Sequence, residues 1–270
     1  MCSGEESEVE LDLTRYGSSF YDFIRVDHTH LLPRFEVPEG VTLPPSVSPP
    51  HGTTILALKF QGGVVVAADR QATEGYQVAS RRIEKVYKAD DYSAIAIAGA
   101  AGPCLEMVKL FQVELEHYEK LEGETLALEG KANKLAQMVR QNLPAAFQGL
   151  VVIPILAGYD LRKNEGRIFK YDVTGGRYEE SDYYATGSGG KDARNTLKKF
   201  YRVGMTREEA LRLALEALID AADEDVATGG PDLVRGIYPS VKIVAQTGIS
   251  DLPDAEMRQL CETLLRERRG

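Results

Sequence analysis

At residue 53 the chain changes character, and that boundary limits the possible folds more than any other feature. Pro33 to Pro50 holds six prolines, including Pro44-Pro45 and Pro49-Pro50. Proline lacks the amide donor and turns the residue before it away from helix, so this stretch is expected to be extended. From Thr53 onward the sequence is strand-like. Thr54 to Phe60 is apolar or alternating, Gly62-Gly63 turns the chain, and Val64 to Asp69 is a second apolar run. Two such runs about a glycine pair predict a β-hairpin. The folded domain is therefore expected to span 53–270, with 1–52 a separate leader.

The order of the later segments sets the fold class. Arg82 to Lys88 alternates, and Ser93 to Gly99 is a small, apolar, buried-strand run. Two helices follow. Leu105, Val108, Phe111, Leu115 and Tyr118 recur at helical steps behind Gly102-Pro103, and Glu124 to Phe147 repeats the pattern. Strands are predicted at Leu150 to Tyr159, Gly166 to Tyr171 and Tyr178 to Thr186. Helices return at Gly190 to Tyr201 and after Thr206, where Glu209 completes a capping box. A last strand, Ser240 to Gln246, precedes a helix from Asp254 to Arg269. Strands grouped with strands and helices with helices argue against a parallel βαβ wind. The expectation is α+β, sheet packed on sheet with helices outside.

Charge and composition exclude several classes. The net charge of −9 gives no footprint for nucleic acid. Residues 1–52 carry nine acids against three bases, so most of that charge lies in the leader. Within it, Tyr16, Phe20, Tyr21 and Phe23 offer apolar docking points. Met1 to Glu10 has no apolar core and is not a secretory signal. No apolar run reaches the roughly 18 residues that span a bilayer. Cys2, Cys104 and Cys261 are widely spaced and odd in number, which suits a reducing compartment. A cytoplasmic location is expected.

The chemistry begins at Gly52-Thr53. A cut there would free a threonine carrying a hydroxyl and an α-amine on one residue, a nucleophile with its own base. The amine has an ordinary pKa near 7.7–8.0; a cation beside it would keep it neutral, and carboxylates would have to hold that cation. Asp69, at the end of its strand, and Lys85, in an alternating strand, are candidates for the pair. Each taken alone is equally an ordinary polar strand residue. Gly99 could offer its N–H to an oxyanion, or be a packing glycine. Gly187-Ser188-Gly189-Gly190 opens a helix as a phosphate cradle does, but it has neither P-loop lysine nor dinucleotide spacing.

Thr53-Thr54-Ile55, then Val66-Ala67-Ala68-Asp69-Arg70, Lys85, Ala98-Gly99, Gly187-Ser188-Gly189, Asp225 and Thr228-Gly229-Gly230 together resemble the proteasome β subunit family. The likeness covers 53–270 in order and spacing, and the ordered set is far more specific than any part. It implies an N-terminal-nucleophile hydrolase fold, a four-layer αββα sandwich of two antiparallel sheets, acting as a threonine-type endopeptidase with no cofactor and no metal. By position Thr53 is the nucleophile and, through its freed amine, the base. Asp69 and Lys85 are the tuning pair, and Gly99 is the oxyanion donor. Ser188, Asp225 and Thr228 complete the polar network, with Thr228 standing where most of the family has serine. Substrate-binding positions are Thr73, Ala72, Ile83, Ile97 and Ala101. The last four, lining the pocket for the residue before the cut, are apolar and imply cleavage after apolar or aromatic residues.

The resemblance further implies seven-membered β rings, stacked and capped by rings of a related α subunit (α7β7β7α7). The long acidic leader and the Ala227-Thr228-Gly229-Gly230 block point to the actinobacterial branch, in which an ATPase ring feeds tagged proteins to the chamber. No nucleic acid or membrane partner is implied. Self-cleavage between Gly52 and Thr53 would remove the leader and unmask the amine. A silent ring-building subunit would lack Thr53, Asp69 or Lys85. The α-less two-ring bacterial relative usually lacks a long leader. A small-molecule amidohydrolase would not be expected to carry the Asp225 to Gly230 block.

Overall fold

The computed structural model describes residues 52–74 and 77–268; the readings made for the leader lie outside the described residues. Chain contacts divide Met1–Thr42 from Leu43–Gly270, and everything below belongs to the second unit.

Strand alternation builds the layers. β1 (Thr54–Phe60) and β2 (Gly63–Ala68) pair antiparallel, as the hairpin reading required. Their small and branched residues Ile55, Ala57, Val64, Val66 and Ala68 face one way, into a core shared with Ala94, Ala96, Ala98 and Ile155. Leu56, Leu58, Val65 and Ala67 face the other way, into a second core. Successive side chains on a strand point to opposite faces, so both faces of this hairpin are buried.

The first sheet runs β10-β1-β2-β11-β12, with β10 at Tyr183–Gly187, β11 at Ser240–Ala245 and β12 at Gly248–Asp251. The second runs β5-β6-β7-β8-β9, with β5 at Val86–Asp90, β6 at Ser93–Gly99, β7 at Val152–Asp160, β8 at Glu165–Tyr171 and β9 at Arg177–Glu180. Their inner faces meet across the alanine-rich core. A separate hairpin joins β3 (Ala72–Glu74) to β4 (Gln77–Ser80). Helices α1 (Ala101–Glu122) and α2 (Leu128–Gln141) cover the outer face of the second sheet, followed by a single turn, α3 (Leu143–Ala146). Helices α4 (Gly190–Phe200), α5 (Arg207–Glu224) and α6 (Asp254–Glu267) cover the first. This is the αββα sandwich. Among the described residues no helix is long and apolar enough to cross a membrane.

Three expectations need correction. Tyr178 to Thr186 is not one strand: Ser181-Asp182 breaks it, and β9 and β10 belong to different sheets. The Lys59 amide donates to the Asp182 carbonyl at 2.8 Å and fixes the crossover. Arg82 to Lys85 is not strand either, because the Glu84 carboxylate accepts the amides of Lys85 and Val86 at 3.3 and 3.2 Å. The helix expected over Glu124 to Phe147 starts only at Leu128, after the extended Ala127, and breaks at Asn142 before Pro144. The capping box forms as read: the Glu209 amide donates to Thr206 Oγ1 and the Thr206 amide to Glu209 Oε2.

Candidate active site

The site lies where β1 begins and β2 and β6 end. Thr53, just before β1, is 6% exposed and so points away from solvent. Its amide donates to Ser188 Oγ at 3.2 Å, and its hydroxyl donates to the Gly52 carbonyl at 2.8 Å. Space around this bond is minimal. A Cβ on Gly52 would lie 1.9 Å from Ala227 Cβ, and one on Gly187 would lie 1.7 Å from the Thr53 carbonyl oxygen. No side chain fits at either position, which is a sharper reason for both glycines than turn formation.

Asp69 follows β2 and is fully buried. Its Oδ1 accepts from Lys85 Nζ at 2.7 Å and from the Thr54 amide at 2.9 Å. Its Oδ2 accepts from the amides of Gln71 and Gly229 at 2.9 and 3.0 Å. Four donors satisfy the two buried oxygens without solvent. Lys85 also donates to the Gln71 carbonyl at 2.6 Å. Burial pulls the Lys85 ammonium below the ordinary lysine range, against the opposing attraction of Asp69. So the expected pair exists, and its cation is held but not fully compensated.

A second network lies on the other side of Thr53. Asp225 closes α5, and its Oδ2 accepts the Ser188 hydroxyl and, at 2.6 Å, the Thr228 hydroxyl. The Ala227 amide donates to Asp225 Oδ1 at 3.1 Å. The sequence reading missed Thr54. Its hydroxyl lies 2.7 Å from Thr228 Oγ1 and accepts the Gly189 amide at 3.0 Å. The available signal was a hydroxyl at the head of an otherwise apolar buried strand, which strand propensity explains equally well.

Gly52, Thr53, Lys85 and Gly99 open into one cavity of about 260 Å³. Thr73, Ala72, Ile83, Ile97 and Ala101 all line it, so the five expected substrate positions converge there. Thr73 Oγ1 accepts the Gly52 amide at 3.0 Å. Gly99 has φ +127°, and a Cβ there would meet the Val151 carbonyl at 2.0 Å, so only glycine is tolerated. The cavity has further walls that the sequence did not reveal: Arg82, Glu84, Tyr87, Cys104 and Leu105. Burial pushes the Cys104 thiol up to about 12.

A family model described as "Proteasome subunit" matches residues 50–234. A relative from Acidimicrobium ferrooxidans, "Proteasome subunit beta", is 60% identical over 215 residues, 80% of this chain and 79% of that protein. Relatives of the same description from Streptomyces griseus and Acidothermus cellulolyticus are each 53% identical. They cover 95% and 93% of this chain and 90% and 87% of their own lengths. The chain belongs to the proteasome subunit family, as a β-type, threonine-protease subunit of the proteasome core.

Proposed function

We propose that residues 1–52 are a propeptide that the chain removes from itself, and that Thr53 then hydrolyses peptide bonds as nucleophile and base together. The observation that carries this reading is the convergence of Gly52, Thr53, Lys85 and Gly99 on one cavity. While Gly52 is attached, the Thr53 nitrogen is an amide with no basic lone pair. In self-cleavage Thr53 Oγ adds to the Gly52 carbonyl carbon, the C–N bond breaks, and the nitrogen takes a proton. The resulting ester is hydrolysed by water, which leaves a Gly52 carboxylate and a free Thr53. Supporting this step is the Thr53 hydroxyl already bonded to the Gly52 carbonyl.

With a substrate the same hydroxyl adds to the scissile carbonyl and gives its proton to the free amine. The Gly99 N–H stabilises the oxyanion, the amine passes its proton to the leaving group, and water releases the acyl chain. Lys85, held by Asp69 and lining the same cavity as Thr53, supplies positive charge that favours the ionised form of the hydroxyl. Ser188, Asp225 and Thr228 hold the amine. The apolar wall of Ala72, Ile83, Ile97 and Ala101 favours an apolar or aromatic residue before the cut. The working assembly is α7β7β7α7, its chamber supplied by an ATPase ring in the cytoplasm.

Intact mass of assembled particles tests the first step: the β chain is expected to begin at Thr53, and a full-length chain in active particles refutes it. Gly52→Val should leave the leader attached, because Ala227 occupies the space its side chain needs. Hydrolysis of a fluorogenic peptide with an apolar residue before the reporter tests the second, with Thr53→Ala expected to abolish it.

A further inference from the structure

We infer that Thr54 is a positioning residue whose hydroxyl anchors the Gly189 amide beside Ser188 and the Thr228 hydroxyl that shares Asp225 with it, so that Ser188 is held where it accepts from the Thr53 nitrogen. The inference rests on the reading of Thr53 as nucleophile and base.

Each hydroxyl has one hydrogen to give. Asp225 is a carboxylate and only accepts. Thr228 gives its hydrogen to Asp225 Oδ2 at 2.6 Å, so the hydrogen in the 2.7 Å contact between Thr228 and Thr54 belongs to Thr54. Thr54 Oγ1 in turn accepts the Gly189 amide at 3.0 Å. The chain therefore runs one way, from Gly189 N–H through Thr54 and Thr228 to Asp225. Ser188 also gives its hydrogen to Asp225, which leaves only lone pairs toward the Thr53 nitrogen at 3.2 Å.

This direction matters once the amine is free. A neutral amine has one lone pair, and it must take the hydrogen of the Thr53 hydroxyl. A Ser188 hydrogen on that lone pair would compete with it. Thr54 is fully buried, so no water replaces its hydroxyl. Its main-chain N–H also donates to Asp69 Oδ1, the oxygen that holds Lys85. One residue thus ties the lysine side of the site to the amine side.

The test uses assembled particles whose chains begin at Thr53 by intact mass. If a variant does not process itself, the same chain is released from a cleavable fusion that leaves Thr53 first. Thr54→Val keeps the shape and removes the hydroxyl. It should lower kcat about ten-fold with KM within about two-fold. It should also move the acid limb of the kcat/KM profile to lower pH, because an ammonium held by a disordered acceptor is less stabilised. Thr54→Ser should restore both. Thr228→Ala, combined with Thr54→Val, should cost no more than the worse single change. Unchanged kcat in Thr54→Val, a loss without the pH shift, or failure of Thr54→Ser to rescue would overturn the inference. A dead Thr53→Ala beside an unaffected Thr54→Val sinks this inference alone; an active Thr53→Ala sinks the reading beneath it.

Discussion

Among the described residues three cations are almost fully buried, Lys85, Lys131 and Arg167, and the first and the last have surroundings that treat them in opposite ways. Lys85 meets one carboxylate, Asp69, and one carbonyl. Arg167 on β8 meets three carboxylates. It binds Glu179 through two parallel bonds at 2.7 and 2.6 Å, Asp160 at 2.9 Å and Glu129 at 3.3 Å, and stacks 4.9 Å over Phe169. Burial wins at Lys85 and its ammonium is easier to deprotonate than usual. Hydrogen bonds to Glu179 win at Arg167, whose charge is held above its ordinary range. Burial alone therefore does not mark a functional charge. A buried cation left short of counter-charge is poised, and one given an excess is a fastener.

The comparison breaks first at Lys85. Lys85→Met should reduce peptide hydrolysis at least about 10³-fold, since it removes the charge that favours the ionised hydroxyl. Lys85→Arg should not rescue, because a planar guanidinium does not fit the contacts the ammonium makes with Asp69 and the Gln71 carbonyl. Stability should change little. Asp69 keeps three main-chain donors, and a lysine whose folded pKa is lowered destabilises the fold when charged. That unfavourable contribution is complete below the lowered value and disappears as pH rises toward 10.5. A large drop in melting temperature for Lys85→Met would make Lys85 a second fastener and erase the contrast.

Arg167→Met should give the reverse pattern. Hydrolysis per site stays within about two-fold, while stability falls by about 2–3 kcal/mol, less than a fully buried pair because Glu179 and Glu129 are partly exposed. For a domain of this size that is roughly 4–12 °C in melting temperature. The pair also predicts acid sensitivity. Arg167 holds the Glu179 carboxyl below its usual range; at Asp160 burial pushes the carboxyl up, and Arg167 together with the Lys163 and Arg162 amides outweighs it. Their contribution is complete above the ordinary carboxylate range and is lost as pH falls through the lowered values. The melting temperature of the wild type should therefore fall more steeply with acid than that of Arg167→Met. Equal slopes would remove Arg167 from the account.

The two centres were not equally legible in the sequence. Asp69 ends an apolar run abruptly and Lys85 fits the alternation around it, so it was the likeness of the ordered motif that singled out both. Arg167 sits inside Gly166 to Tyr171, where an arginine reads as a solvent-facing strand residue; its three acids come from α2, the end of β7 and β9 and converge only in the folded sheet. The β9–β10 division was hidden for a similar reason. Alternation continues across Ser181-Asp182, and nothing local says that the chain leaves one sheet for the other. The β3–β4 hairpin was missed because Gln77-Val78-Ala79-Ser80 is largely exposed and shows no apolar face. Thr54 was hidden by its residue type, since threonine is at home in any strand.

Cys104 supplies the smallest and most local test, because it shares its cavity with Lys85. An environment that disfavours charge should act on both, lowering a base and raising an acid. It does: burial pushes the thiol up to about 12 despite the pull of the Lys85 charge. The thiolate is the reactive form, so at pH 8 Cys104 should resist iodoacetamide even though a substrate-sized cavity leads to it. Cys261, on the buried face of α6 and likewise raised to about 12, should also resist. A chain beginning at Thr53 retains only these two cysteines. Intact mass should then find no added label on native particles and two on denatured ones, with peptide hydrolysis unchanged after native treatment. Rapid labelling of Cys104 with loss of activity would mean that the cavity stabilises charge. In that case the lowered Lys85 could not be a consequence of burial, and the difference between the two cations would need another cause.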